Sequence, residues 1–335
     1  MKTHCIFCLL CLSFMSAATG EETDPRGILK KRTARWYHEL KDLQKDKHTG
    51  AESNLTGSPI GGGNGYQDMI TEPANTAKDY DSLVAALKKA RSGDVVFLPG
   101  TIEIDMSGKP ALTVPGGVTL ASDRGQSGSK GARLYSTNTD TPAMIRISGA
   151  YARITGVCLD GPHKGRARVP KMSRGIMISH FGCEVDNCEI RGFSHAGVYV
   201  SGGATRAYIH HCFIHHNMRD GLGYGVTLNS GTALIEANRF DYGRHFTAAS
   251  GKPGEGYEAR YNIFGPHCTS HFIDMHGGRD RGDGTDIAGD WIHLHHNTFV
   301  KKKTIHIRGT PNQFSRDHNN RVVPRLPKTE GGEKK

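Results

Sequence analysis

The chain has 335 residues, 36 % apolar residues, 43 glycines and a formal charge of +10. So little apolar content with so much glycine argues against a compact helical bundle and for a chain with frequent turns. The basic balance selects polyanionic partners, and because no nucleic-acid-binding motif occurs, it points to an acidic polysaccharide rather than nucleic acid.

In chain order, residues 1–20, "MKTHCIFCLLCLSFMSAATG", combine an early lysine, a short apolar run and small residues near Ala17 and Ala18. This is the build of a signal peptide, so the mature chain is expected to be secreted or periplasmic, with no membrane span. Residues 21–74 read as an extension: "RTARWYHELKDLQKDK" has helical spacing, and "TGSPIGGGNGYQD" reads as a flexible linker. "LVAALKKA" then predicts a helix that closes the N-terminal end of the fold, followed by the strand "VVFLPG".

From Val157 onward a phrase recurs: an apolar residue, two variable residues, Cys or Asn, one variable residue, an apolar residue. It appears around Cys188, Cys212, Asn238, Asn262 and Asn297, at intervals of 24, 26, 24 and 35 residues. Each copy is short, rich in β-branched or aromatic residues, and followed by a second short strand such as "AGVYV" or "YGVTL". A period in the twenties with several strands per repeat predicts an all-β fold, a single-stranded parallel β-helix over residues 75–310, with the Cys and Asn column stacking at a turn. Cys188 and Cys212 then fall in adjacent coils, either as packed free thiols or as a disulfide. The tail 311–335, ending "VVPRLPKTEGGEKK", is basic and reads as disordered.

The helix before "VVFLPG" and the coils with Asn turns resemble the pectate-lyase-like superfamily, which implies a right-handed helix. Within it, "YGV", "NRF", "RHF", "GYEARYNIF" and "SHFIDMHGG" are similar to bacterial lyase-type proteins acting on alginate and other polyuronates. That resemblance implies a monomeric enzyme cleaving an acidic polysaccharide.

The residues themselves point to a site. Fourteen of nineteen histidines fall between His180 and His306. His245 in "RHF" and His271 in "SHF" are 26 residues apart, one coil, and so are expected to stand together on one flank, with His195 and Tyr224 continuing the column. Strand alternation puts Asp274 and His276 on one face. β-Elimination from a uronate polymer requires neutralisation of the carboxylate, a base for the α-proton and an acid for the leaving oxygen. Arg244 is expected to neutralise, His245 or His271 to act as base, and Tyr224 or Tyr257 as acid. Glu258, Arg260, Asp274 and His276 are expected to line the substrate groove, and Lys164, Arg166, Arg168, Lys171 and Arg174 to form a cationic wall.

Asp280, Asp283 and Asp286 in "GGRDRGDGTDIAGD" could supply oxygens to Ca²⁺, although their spacing does not match an EF-hand loop and the same residues read better as an acidic surface loop balanced by Arg279 and Arg281. A noncatalytic carbohydrate-binding protein stands as a second reading. A hydrolase pairing Asp274 with Glu258 or Asp286, or a uronate epimerase, stands as a third.

Overall fold

The computed structural model describes residues 48–71, 73 and 75–326. The leader at 1–20 and the helix expected in 32–47 lie outside these residues. Among the described residues the chain is an all-β solenoid with very little helix, and every strand pairing is parallel. Short strands with β-branched cores return to the same position once per coil, so each pairs with its counterparts in the coils before and after.

The strands line three faces. The first runs through Val95–Leu98, Thr119–Ser122, Arg153–Thr155 and Glu184–Asp186, and continues to Gly256–Arg260, Trp291–His295 and Phe314–His318. The second runs through Leu112–Val114, Ile145–Ile147 and Arg174–Ile178, and continues to His245–Ala249, Ile273–Met275 and Ile305–Ile307. The long strands Ala196–His210 and Tyr224–Glu236 bend from the second face into the first and merge the two into one 16-stranded sheet. The third face is a separate 9-stranded sheet from Glu103–Asp105 to Arg321–Val323. Inward residues such as Ile154, Val185, Ile209, Ile235, Ala259 and Leu294 stack into one continuous apolar core. The helix Tyr80–Lys89 lies at the N-terminal end of the stack and buries Leu83 and Leu87 in that core.

The corner between the first and third faces explains the repeated phrase. Asn187, His211, Ala237, Tyr261, His296 and Asn319 all have φ between 50° and 55°. A left-handed conformation costs an ordinary residue about 1–2 kcal/mol. The residue that follows offsets this cost. Asn238 Oδ1 accepts from Cys212 N, Asn262 Oδ1 from Asn238 N, Asn297 Oδ1 from Asn262 N and Asn320 Oδ1 from Asn297 N, at 2.8–3.0 Å. Each of these Asn side chains also donates to a main-chain carbonyl of a neighbouring coil. Two bonds, each contributing about 0.5–1.5 kcal/mol, balance one strained residue per coil. Cys188 and Cys212 occupy the same column as buried free thiols, donating to carbonyls at 3.1–3.7 Å.

Two expectations are corrected. The segment read as a flexible linker is a strap laid along this same corner. Gly50 N donates to Asn319 O, Gly61 N to Ala237 O and Gly63 N to Asn187 Oδ1, each at 2.8 Å. Glycine is required rather than merely tolerated at Gly62, where φ is +67° and a Cβ would lie 2.2 Å from the His211 carbonyl oxygen. The strap is held because its amides bond carbonyl oxygens that the left-handed corner presents. Residues 311–326 of the tail expected to be disordered instead continue the solenoid for another coil, with Phe314–His318 on Trp291–His295 and Arg321–Val323 on Thr298–Val300, and 327–335 lie outside the described residues. Asn320 extends the Asn column there and closes the turn.

Candidate active site groove

The outward side of the second face carries the residues expected to form the site. Strand register places Tyr199, Thr227, Ala248, Asp274 and His306 in one row across successive coils. Beside it stands a column of rings. His195 lies 5.9 Å from Tyr224, Tyr224 is stacked on His245 at 5.7 Å, His245 on His271 at 5.6 Å, and His271 lies 4.6 Å from His306. The 26-residue interval therefore does bring His245 and His271 face to face.

Asp274 is the centre of charge. It is fully buried, and its oxygens accept from Arg308 Nε and Nη2, both at 3.1 Å. His276 Nε2 lies 3.2 Å from Oδ2, and His245 Nε2 lies 3.8 Å from the same oxygen. Burial pushes the Asp274 carboxyl upward, but the hydrogen bond from His276 and the charges of His245 and Arg308 outweigh it and hold the group below its ordinary value.

His245 has a fixed tautomer. Its Nδ1 lies 2.9 Å from the His271 carbonyl oxygen, which can only accept, so Nδ1 carries the proton. The lone pair is then on Nε2, which is buried and has no hydrogen-bond partner. Burial pulls this imidazole down to about 4, with Asp274 opposing. The neutral ring is thus the stable form near pH 7, and its free nitrogen is buried, facing the Asp274 carboxylate. Tyr224 is nearly buried, and burial raises its pKa while Arg244 lowers it, with the net shift upward. It is a phenol, kept protonated, with a guanidinium acting on its hydroxyl.

The groove has two walls. One is made by the loops entering the second face: Arg166 reaches Asp220 at 3.3 Å, Lys171 reaches Asp140 at 3.5 Å, Arg168 lies against Gly221, and Arg174 covers the Tyr199 ring at 4.6 Å. Lys164 turns away to Asp160 at 2.8 Å, on the third face. The opposite wall carries Lys252, which donates to Asn229 Oδ1, while Asn229 Nδ2 donates to the Tyr199 hydroxyl at 2.7 Å.

Sequence reasoning brought Arg244, His245, His271, Tyr224, Asp274 and His276 to one place, and the structure brings them together. Three other residues are not there. Tyr257 is fully buried in the apolar core, which raises its pKa strongly, so it cannot meet a leaving group in the groove. Glu258 and Arg260 lie on the first face, where Arg260 binds Glu236 at 2.7 Å and Glu258 at 2.9 Å. Tyr257 and Glu258 are consecutive in one first-face strand, and strand alternation sends Tyr257 inward and Glu258 outward.

Asp280, Asp283 and Asp286 form no shared ligand set among the described residues. Asp280 faces Arg308, Asp283 binds Arg281 and Thr285, and Asp286 accepts from Thr310. Residues missed from sequence are Tyr199, Asn229, Lys252, His306 and Arg308. His306 was findable, because it lies one coil beyond Asp274 in the same row.

The chain matches no known family profile and no curated protein. Among solved structures it is similar to an alginate lyase from Paenibacillus sp. str. FPU-7, at 15 % identity and TM-score 0.46, over 74 % of this chain and 95 % of that one. No helix among the described residues is long and apolar enough to cross a membrane.

Proposed function

We propose that the protein is a polysaccharide lyase whose groove binds a uronate-containing polymer and cleaves it by β-elimination. The observation that carries this reading is Tyr224: a protonated phenol under the influence of Arg244, stacked on a neutral imidazole, on the floor of a groove walled by cations. We further infer that the solenoid is a right-handed parallel β-helix of the pectate-lyase-like kind, and that the chain is exported through its first 20 residues.

Elimination at a uronate divides into three tasks. The carboxylate needs positive charge or hydrogen bonds that strengthen as the carbanion develops. Arg244 supplies charge at the ring column. The α-proton and the leaving oxygen lie within reach of one group when both are on the same side of the sugar, and Tyr224 serves both: as phenolate it takes the proton, and as phenol it returns it to the glycosidic oxygen. Because burial raises its pKa, the phenolate is scarce near neutrality, and the rate is expected to climb with pH on the alkaline side. Hydrolysis by paired carboxylates is disfavoured, since Asp274 and Glu258 lie on different faces.

The test is absorbance of unsaturated uronate ends on incubation with alginate, polyglucuronate, pectate and chondroitin. The reading expects one polymer to give signal and Tyr224→Phe to abolish it. No signal on any of them, with polymer binding retained, would establish the noncatalytic carbohydrate-binding alternative.

A further inference from the structure

The unpaired Nε2 of His245 has no part in the reaction just described. It is a bare lone pair, buried, pointing toward the Asp274 carboxylate 3.8 Å away. Two electron-rich atoms facing each other in a buried site are unfavourable unless a positive charge lies between them. A proton does not fill the gap, because the separation exceeds a hydrogen bond.

We propose that the groove holds a divalent transition-metal ion on His245 Nε2, a ring nitrogen of His271 and a carboxylate oxygen of Asp274, with its open positions toward the sugar carboxylate. The clause about the sugar rests on the lyase reading; the ion itself does not. Ligand atoms of these three side chains lie within 4.8 Å of one another. Bonds of about 2.0–2.2 Å in a tetrahedral site set neighbouring ligand atoms about 3.3 Å apart. The required closure is on the order of an ångström, and His271, which is only partly buried, is the side chain free to make it. The surrounding contacts already orient the set: the His271 carbonyl fixes the His245 tautomer, and Arg308 and His276 fix the Asp274 carboxylate.

Two other clusters of His with carboxylates are in a different state. In Glu184–Asp186–His210 and Glu258–His293–His295, the imidazole Nε2 hydrogen-bonds a glutamate at 3.0 and 2.9 Å, and Arg153 or Arg260 balances the charge. Those lone pairs and carboxylates are used; the one on His245 is not. Two imidazoles and one carboxylate suit Zn²⁺ or a neighbouring transition metal, whereas Ca²⁺ prefers an all-oxygen shell. An ion here meets the charge of a uronate carboxylate. It also lies beneath the ring that stacks on Tyr224, lowering that phenol's pKa and making it a better base.

The test uses the full mature chain, stripped with a chelator and titrated with Zn²⁺ alone by calorimetry, with Co²⁺ absorption as a second readout of nitrogen ligation. One ion per chain is expected. His271→Ala, at the partly exposed ligand, should weaken binding by about 100-fold or more, and Asp274→Asn likewise, while Tyr224→Phe and the first-face control His318→Ala leave it unchanged. Circular dichroism identifies any variant that has not folded, in which case His271→Ala decides.

Absence of stoichiometric binding to the folded chain, or binding that survives both His271→Ala and Asp274→Asn, overturns the proposal. The two readings fail separately. Zinc bound at these residues without cleavage of any polymer removes the lyase and keeps the metal site; cleavage of a polymer by a folded chain that binds no zinc removes the metal site and keeps the lyase.

Discussion

The first and second faces carry the same chemical vocabulary in two different conditions. Both present columns of His, Tyr, Arg and carboxylates at coil spacing. On the first face, Arg153 grips Asp186 with two bonds of 2.7 Å, and Thr155 and Tyr66 add 2.7 and 2.8 Å bonds to the same carboxylate. Tyr208 and Arg260 close on Glu236, Glu258 bridges Arg260 and His295, and the strap residues Tyr66 and Asp68 lie over the Arg153 end. On the second face, no strand or strap among the described residues covers the ring column, and a buried nitrogen is left without a partner. Residue type therefore does not separate structure from function here. Cover and completeness of pairing do, because a satisfied buried polar column rigidifies a solenoid while an unsatisfied one is poised for a ligand.

The sharpest way to test this contrast is to remove one hydroxyl from the second face. Tyr224→Phe should lower elimination by about 10²–10⁴-fold while keeping the ring stack, so that the urea midpoint stays close to that of the parent. The mirror experiment is on the first face. Arg260→Ala leaves Glu236 and Glu258 buried without their counter-charge and should cost about 3–5 kcal/mol in urea denaturation, with kcat per folded molecule unaltered. If Arg260→Ala changed kcat in the folded fraction, the division between the two faces would be wrong.

Next in size is the corner between the first and third faces. Asn262→Ala removes the acceptor for Asn238 N and should cost about 1–3 kcal/mol, again measured by denaturation. Acid should then affect both faces. Burial holds His195 and His293 down to about 3 and His245 to about 4, against an ordinary 6.5. The unfolded chain takes up protons that the folded chain refuses, so stability is complete above pH 6.5 and falls as pH drops from there toward 4. A urea midpoint that stays flat across that interval would contradict the buried neutral state of these rings. The smallest effect is expected at the wall: Arg166→Glu with Lys171→Glu should weaken polymer binding several-fold at low salt, and the difference should vanish at high salt.

Much of the solenoid was legible from the chain. The phrase with Cys or Asn at one position marks a corner, because the amide side chain there bonds the next coil's main chain, and that requirement leaves a fixed residue at a fixed interval. The interval placed His245 beside His271, and the alternation placed Asp274 beside His276. Where the reading went wrong, it used composition in place of the repeat. "GGGNG" looked like a flexible linker because glycine is common in linkers, but Gly62 is there for close approach to the His211 carbonyl. The tail looked disordered because it is basic, although Asn320 stands 23 residues after Asn297 and continues the column.

Local sequence by itself determined the period, the corner turns and which residues point in or out, because those depend on strand alternation and on hydrogen bonds between adjacent coils. Tertiary structure alone decided which outward column is covered. That depends on where a strap from the opposite end of the chain comes to rest, and on the fold that puts Glu258 on the first face and Asp274 on the second. Contacts between residues 50 and 319, or 66 and 186, leave no periodic trace in the chain. They are what separates a satisfied polar ladder from a groove with one lone pair still open.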